Sequence, residues 1–319
     1  MNIIQQDNYI FLNVNGRWFK YDSFQAPIGS GAMGEVYLGT DCETGVKVAI
    51  KKVLDAYSNI PSIRERARLE ASLMFRHRNL VEMLGFCEYE EHYGPIFIIS
   101  KFVMGMNMDK FIDKFLPRVP SATPKICQMF LPVLDALDYI HSKNILHLDI
   151  KPSNIMIENG RNVRLMDLGI ALCNDRESDL GQGMMGTPKY AAPEQLSSDT
   201  SAQLSVRTDI YEAGVTLYEL LTGQNPYSGV DIRDIREKHK FLLLPPHRHV
   251  SPALLKVLRK ATMSNPMFRY SSAREFRSAI QSALIAPPPE KEQDSWWIWG
   301  LVGLVACLLI CFAIFFIYG

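Results

Sequence analysis

The most informative ten residues of the chain are HLDIKPSNIM, at 147–156. Asp149 is a carboxylate that can orient a hydroxyl nucleophile and accept its proton. Lys151 can neutralise charge on a transferred phosphoryl group, and Asn154 offers a neutral oxygen to a cation such as Mg2+. A short strand–turn–strand follows, then LMDLG at 165–169, where Asp167 supplies a carboxylate for the same cation. Further on lie GTPKYAAPE at 186–194 and TDIYEAG at 208–214. The second of these opens a stretch with apolar residues at three- and four-residue spacing, which predicts a helix.

Upstream, IGSGAMGEV at 28–36 carries Gly29, Gly31 and Gly34 between two apolar runs. Glycines there let a backbone approach phosphate, because no Cβ stands in the way. Alone, such a hairpin has an ordinary structural meaning. VAIK follows at 48–51, and a lysine ending an apolar strand can simply reach solvent. Together the two pieces make a loop that covers phosphates and a cation that holds them.

Residues 23–105 are rich in short strand-like runs, namely FQAPIGSGAMGEVYLGT, VKVAIKKV, LVEMLGFCEY and PIFIISKFV. One charged stretch, PSIRERARLEASLMF, interrupts them and predicts a helix, with Pro61 suited to its first turn. From about residue 106 the pattern turns helical, as in KICQMFLPVLDALDYIHSK at 125–143. A strand-rich part followed by a helix-rich part is α+β and predicts two lobes, not an alternating parallel sheet. Before all this, YIFLNVNGRWFKY at 9–21 resembles a small hairpin around Asn15-Gly16.

The 319 residues are 47% hydrophobic, enough for such a unit plus one further segment. Lys+Arg and Asp+Glu balance at 34 each, which argues against a nucleic-acid partner. The six cysteines are scattered without CxxC spacing, as expected of free thiols. The first residues lack the basic and apolar regions of a secretory signal. Residues 296–318, WWIWGLVGLVACLLICFAIFFIY, contain no charge. As a helix they would reach roughly 34 Å, enough to cross a hydrocarbon core of about 30 Å. Trp296, Trp297, Trp299 and Tyr318 sit where aromatic rings favour the membrane interface. One membrane pass is expected, joined through the Pro-rich, charged linker APPPEKEQDS.

Residues 23–283 resemble the catalytic domain of eukaryotic-like (Hanks-type) serine/threonine protein kinases, most nearly the bacterial members with a single membrane span. The resemblance implies a two-lobed kinase fold using ATP and Mg2+ on protein substrates. It places Ile28, Gly29, Ser30, Gly31, Ala32, Met33, Gly34, Glu35 and Val36 over ATP, with Lys51 on the α- and β-phosphates. Asp149 becomes the catalytic base beside Lys151, and Asn154 and Asp167 the Mg2+ ligands. Asp209 resembles the aspartate that braces the catalytic loop, and Glu194 with Arg269 a buried ion pair. Lys151 and Thr187 match serine/threonine rather than tyrosine kinases.

The glutamate that partners Lys51 is less direct. Counting about nineteen residues on from the lysine gives Glu70, whereas counting back from His77 gives Arg68. The two counts agree if two residues are missing before the next strand, and Arg68 cannot pair with a lysine, so Glu70 is favoured over Arg68 and Glu65.

Three departures stand out. Leu148 replaces the arginine that usually meets a loop phosphate, DLG replaces the commoner triplet, and Ser100 is small at the back of the adenine pocket. Ser178 is the only hydroxyl between Asp167 and Gly186, so activity without loop phosphorylation is expected. Control would then come from the membrane, dimerisation or a regulatory partner.

The expected organisation is a 1–22 extension, a 23–283 kinase domain, a 284–295 linker and a 296–318 span. The kinase domain would face the cytoplasm, at the inner membrane if the source is bacterial. A pseudokinase scaffold at the membrane is the alternative, but it would be expected to lack Lys51, Asp149, Asn154 or Asp167, and all four are present. A small-molecule kinase of similar fold is disfavoured by GTPKYAAPE, a segment that in protein kinases docks the substrate peptide.

Overall fold

The computed structural model describes residues 2–31, 34–90, 93–167, 187–197 and 203–285. The predicted span, Ala32, Met33, Leu168 and Ser178 lie outside them. Among the described residues no helix is long and apolar enough to cross a membrane.

Strands β1 (Ile3–Gln6), β2 (Tyr9–Val14), β3 (Arg17–Asp22), β4 (Gly29–Gly31), β5 (Gly34–Asp41) and β6 (Lys47–Val53) begin the upper lobe. Helices α1 (Asp55–Ser58) and α2 (Pro61–Ser72) follow, then β7 (Met83–Glu88) and β8 (Ile96–Lys101). These strands form one antiparallel sheet in the order β1-β2-β3-β5-β6-β8-β7, with β4 paired to β5. The four-residue apolar run at the start of β8 shows why it is apolar throughout. Ile96 and Ile98 face Ala67 and Ala71 of α2, while Phe97 and Ile99 join a second core on the other face. Side chains that alternate between two buried faces leave no polar side.

That second core is completed by the N-terminal hairpin. Asn15 and Gly16, with φ of 52° and 89°, turn between Val14 and Arg17, as a two-residue primed loop requires. Leu12, Val14, Phe19 and Tyr21 then pack on Val48, Ile50, Phe97 and Ile99. A Cβ on Gly85, whose φ is 149°, would lie 2.3 Å from Val14 Cγ1, so β2 rests on a backbone that only glycine leaves open. The hairpin is therefore more than a preamble. It extends the sheet and buries the sheet's outer face.

The lower lobe contains β9 (Gly105–Asn107), α3 (Met108–Phe115), α4 (Thr123–His141), β10 (Ile155–Glu158) and β11 (Asn162–Leu165). It ends with α5 (Val206–Thr222), α6 (Ile232–Phe241), α7 (Pro252–Ala261) and α8 (Ala273–Ile285). The predicted helices at 61–75, 125–143 and 208–223 appear as α2, α4 and α5. Helix α5 is buried almost all round, opened by a Ser205–Thr208 capping box and closed by Gly223 at φ 77°. A helix enclosed like this has no solvent face for polar side chains. Asp209, Glu212 and Thr216 on it must find partners inside the protein. Leu80 bridges Leu165, and Val81 N donates to Leu165 O at 3.1 Å, joining the lobes behind the cleft. Cys42, Cys87 and Cys127 are free thiols.

Candidate active site

The site is assembled around residues 147–154, which cross the mouth of the lower lobe and are held from beneath by α5. Asp209 accepts from His147 N and Leu148 N, each at 2.8 Å, and from His141 Nε2 at 2.7 Å. Thr216 Oγ1 donates to Ile150 O at 2.8 Å. His147 Nε2 donates to Met166 O at 3.0 Å while its Nδ1 accepts from Asp149 N at 3.3 Å. Burial pushes the His147 imidazole down, against the opposing pull of Asp209 and Asp149. The neutral ring this favours suits one nitrogen donating and the other accepting.

Asp149 is thereby presented with its carboxylate at the surface of the cleft. Lys151 Nζ lies 2.6 Å from Oδ2, and Asn154 Nδ2 donates to Oδ2 at 3.0 Å and to the Asp149 carbonyl at 2.8 Å. Thr187 reaches Oδ1 through its N at 3.1 Å and its hydroxyl at 3.2 Å, while Lys151 also donates to that hydroxyl at 2.7 Å. Burial would raise the Asp149 carboxyl, but Lys151, His147 and Asn154 outweigh it and hold it below its ordinary value. The group is ionised at neutral pH, as a proton acceptor must be.

Above it stands Lys51 on β6, with Nζ 3.6 Å from Asp167 Oδ1. Asp167, at φ 46°, follows β11 in a left-handed conformation that aspartate tolerates better than most residues. Asp167 raises the Lys51 ammonium above its ordinary range, against burial, and Glu70 adds to it. Burial drives the Glu70 carboxyl up to about 7, against the pull of Lys51. Glu70 is buried on α2 facing this pair, yet no Lys51–Glu70 ion pair within 4.0 Å occurs among the described residues. Arg68 instead turns to Glu88, at 2.8 Å, and Glu65 is exposed.

The glycine-rich segment forms the β4–β5 hairpin over the cleft, with Gly29 opposite Val36 and Gly31 opposite Gly34. Ile28 N donates to Val36 O at 2.8 Å, while Ser30 and Glu35 pair across the hairpin and Tyr37 donates to Glu35 at 2.7 Å. A Cβ on Gly34 would lie 2.6 Å from Lys52 O, so the close approach to β6 requires glycine there. Ser100 on β8 pairs with Ala49 and Met83.

The donor set suits Mg2+. Among the described residues no group of three or more His, Cys, Asp or Glu is placed to hold a metal ion. Asp167, with a part-exposed carboxylate, and Asn154, whose Nδ2 is committed to Asp149, leave one carboxylate and one amide oxygen. That sparse pair is how Mg2+ is usually held when phosphates complete its shell.

Two further residues hold the site and escaped the sequence reading. Glu212 accepts from Ile150 N, and Gln195 donates both to Glu212 and to Leu148 O. The available signal was the spacing of Asp209, Glu212 and Thr216, three polar residues on one face of an otherwise apolar helix. Farther out, Arg269 pairs with Glu194 at 2.7 Å in full burial, and His239 Nε2 donates to Pro188 O at 2.9 Å.

Comparison with known proteins agrees with this geometry. Residues 23–284 match the protein kinase domain family. The chain is 31% identical over 276 residues to the serine/threonine-protein kinase PknB of Mycobacterium leprae, covering 82% of this chain and 43% of that protein. It is 31% identical over 297 residues to PknD of Chlamydia muridarum, covering 81% of this chain and 31% of the relative. The chain thus spans less than half the length of these curated relatives. The crystal structure of the Mycobacterium tuberculosis PknI kinase domain superposes with a TM-score of 0.64 at 25% identity, over 90% of this chain and 99% of that one. With its two-lobed fold, its ionised Asp149 and these relatives, the chain belongs to the protein kinase family, with a domain of the serine/threonine type.

Proposed function

We propose that the chain transfers the γ-phosphoryl group of ATP to serine or threonine hydroxyls of protein substrates. The observation that carries this is the Asp149–Lys151–Thr187 constellation, an ionised carboxylate and an ammonium converging on one hydroxyl. A substrate hydroxyl placed there would give its proton to Asp149 as its oxygen bonds to the γ-phosphorus and the bond to ADP breaks. Lys151 would offset charge on the transferred group, and Lys51 would hold the α- and β-phosphates beneath the 28–36 hairpin. Mg2+, when held by Asn154 and Asp167, supplies charge neutralisation on the phosphates. Glu70 would orient Lys51.

Residues 296–318 are proposed as a membrane anchor, with the kinase domain on the cytoplasmic side where ATP is available. The support is their length without charge and their terminal aromatic residues. The decisive assay is phosphorylation of a generic protein substrate by the full chain in detergent with Mg-ATP. Asp149→Asn should lower the rate about a hundredfold or more while leaving the fold intact. Unchanged turnover in that variant would overturn the assignment. For the anchor, deletion of 296–319 should release an active enzyme from membranes, and continued membrane fractionation would count against it.

A further inference from the structure

Leu148 is a buried, β-unbranched residue held at φ 61°, immediately before Asp149. A left-handed leucine is strained relative to ordinary backbone, so its surroundings must enforce it. Asp209 takes its N–H. Its carbonyl is taken from the opposite side by Gln195 Nε2 at 3.2 Å. Gln195 is itself fixed at both ends: Nε2 donates to Glu212 Oε1 at 2.9 Å, and Oε1 accepts from Ala192 N at 2.6 Å. Glu212 Oε2 accepts from Ile150 N at 2.9 Å. Glu212 and Gln195 therefore clasp both sides of Asp149 and tie them to the segment that carries Thr187.

Burial, with Asp209 beside it, pushes the Glu212 carboxyl well above the usual range. A carboxyl in such a place is costly unless it is hydrogen-bonded, and both of its oxygens are. Neither Glu212 nor Gln195 reaches the cleft. Both act through Asp149.

Resting on the phosphoryl-transfer function above, we propose that Glu212 and Gln195 form one positioning unit. It holds Asp149 and the 187–197 segment in mutual register, where position 148 carries leucine. Glu212→Gln is nearly isosteric but sets an amide NH2 against the Gln195 NH2 if the Ile150 bond is kept, so one bond must be lost. Gln195→Leu removes the same contact from the other side, together with the donor to Leu148 O.

The test measures kcat and the KM for ATP in the full chain, with Asp149→Asn as the inactive baseline. Glu212→Gln should lose about tenfold or more in kcat with the ATP KM within about twofold, since a broken buried bond acts on the base and not on the nucleotide. Gln195→Leu should lose kcat in the same way, and the double variant should lose no more than about threefold beyond the worse single variant, because a shared contact can be lost only once. Wild-type kcat in Glu212→Gln, or losses that multiply in the double variant, would overturn the proposal. If the wild type transfers no phosphate, the function fails separately, and hydrogen exchange at 148–150 decides the clasp. Protection should then fall in both Glu212→Gln and Gln195→Leu; unaltered protection would overturn it.

Discussion

The two halves of the cleft are held by different means. Below, His147 N, Leu148 N, Ile150 N and Leu148 O each meet a side chain of α5 or of the 187–197 segment, and Asp209 and Glu212 among these partners are buried. Above, Lys51 meets Asp167 but not Glu70 within ion-pair distance. Helix α2 is instead fixed at its far side. Arg64, fully buried, donates to Ser58 O, Gly94 O, Glu88 and Glu90 O, and Arg68 shares Glu88. The proposed base is thus held in place before any substrate arrives, which is how a positioned charge is most effective. On the proposed function, the pairing of the lysine would be completed when phosphates enter.

That contrast can be tested by substitution. Lys51→Met should cost about a hundredfold or more in kcat/KM, because the cation facing the phosphates is lost outright. Glu70→Gln should cost far less, since Glu70 acts on Lys51 from a distance. Equal losses would show that the two groups work as one pair and that the halves are alike.

Asp209→Ala comes next. It strips acceptors from His147 N and Leu148 N in a dry site, so kcat should fall by tens of fold and the protein should lose about 2–5 kcal/mol of stability. A stable variant with full activity would mean that the lower half does not depend on α5. Glu88→Ala should act on the upper half alone. The ATP KM should rise about three- to tenfold as α2 loses its anchor, with kcat changed less. A selective fall in kcat would place the coupling in the wrong half.

The smallest effect concerns pH and the outer edge of the lower half. Burial lowers His239 to about 4, against the bond to Pro188. A depressed histidine stabilises the fold fully above its unfolded value near 6.5 and loses that contribution as pH falls towards 4. The amount is at most about 3 kcal/mol. Thermal midpoints measured from pH 7 to pH 4 should therefore fall more steeply for wild type than for His239→Gln. Parallel slopes would show that the imidazole is not buried in its neutral form.

Much of this was legible beforehand. The runs VAIK and FIIS announced buried strands, and α4 and α5 were readable from apolar spacing. HLDIKPSNIM placed Asp149, Lys151 and Asn154 within six residues, so local chain geometry alone brings them together. The role of the N-terminal hairpin was not readable, because Val14 meets Gly85 only after the sheet has curled. Counting left Glu70 and Arg68 both open and charge chose Glu70, and the structure separates them by facing: Glu70 turns inwards and Arg68 turns to Glu88.

By itself, then, the sequence determined the order of elements, the two-lobed class and the residue types available for phosphoryl transfer, since periodicity and short motifs are local properties. Tertiary structure alone decided that Glu212 and Gln195 flank the base, that Arg64 anchors α2, and that Lys51 faces Asp167 ahead of Glu70. These contacts join residues up to 116 positions apart, as between Lys51 and Asp167. Hydrogen bonds and ion pairs at such separation depend on packing that brings distant segments within about 3–4 Å, and no local pattern encodes it.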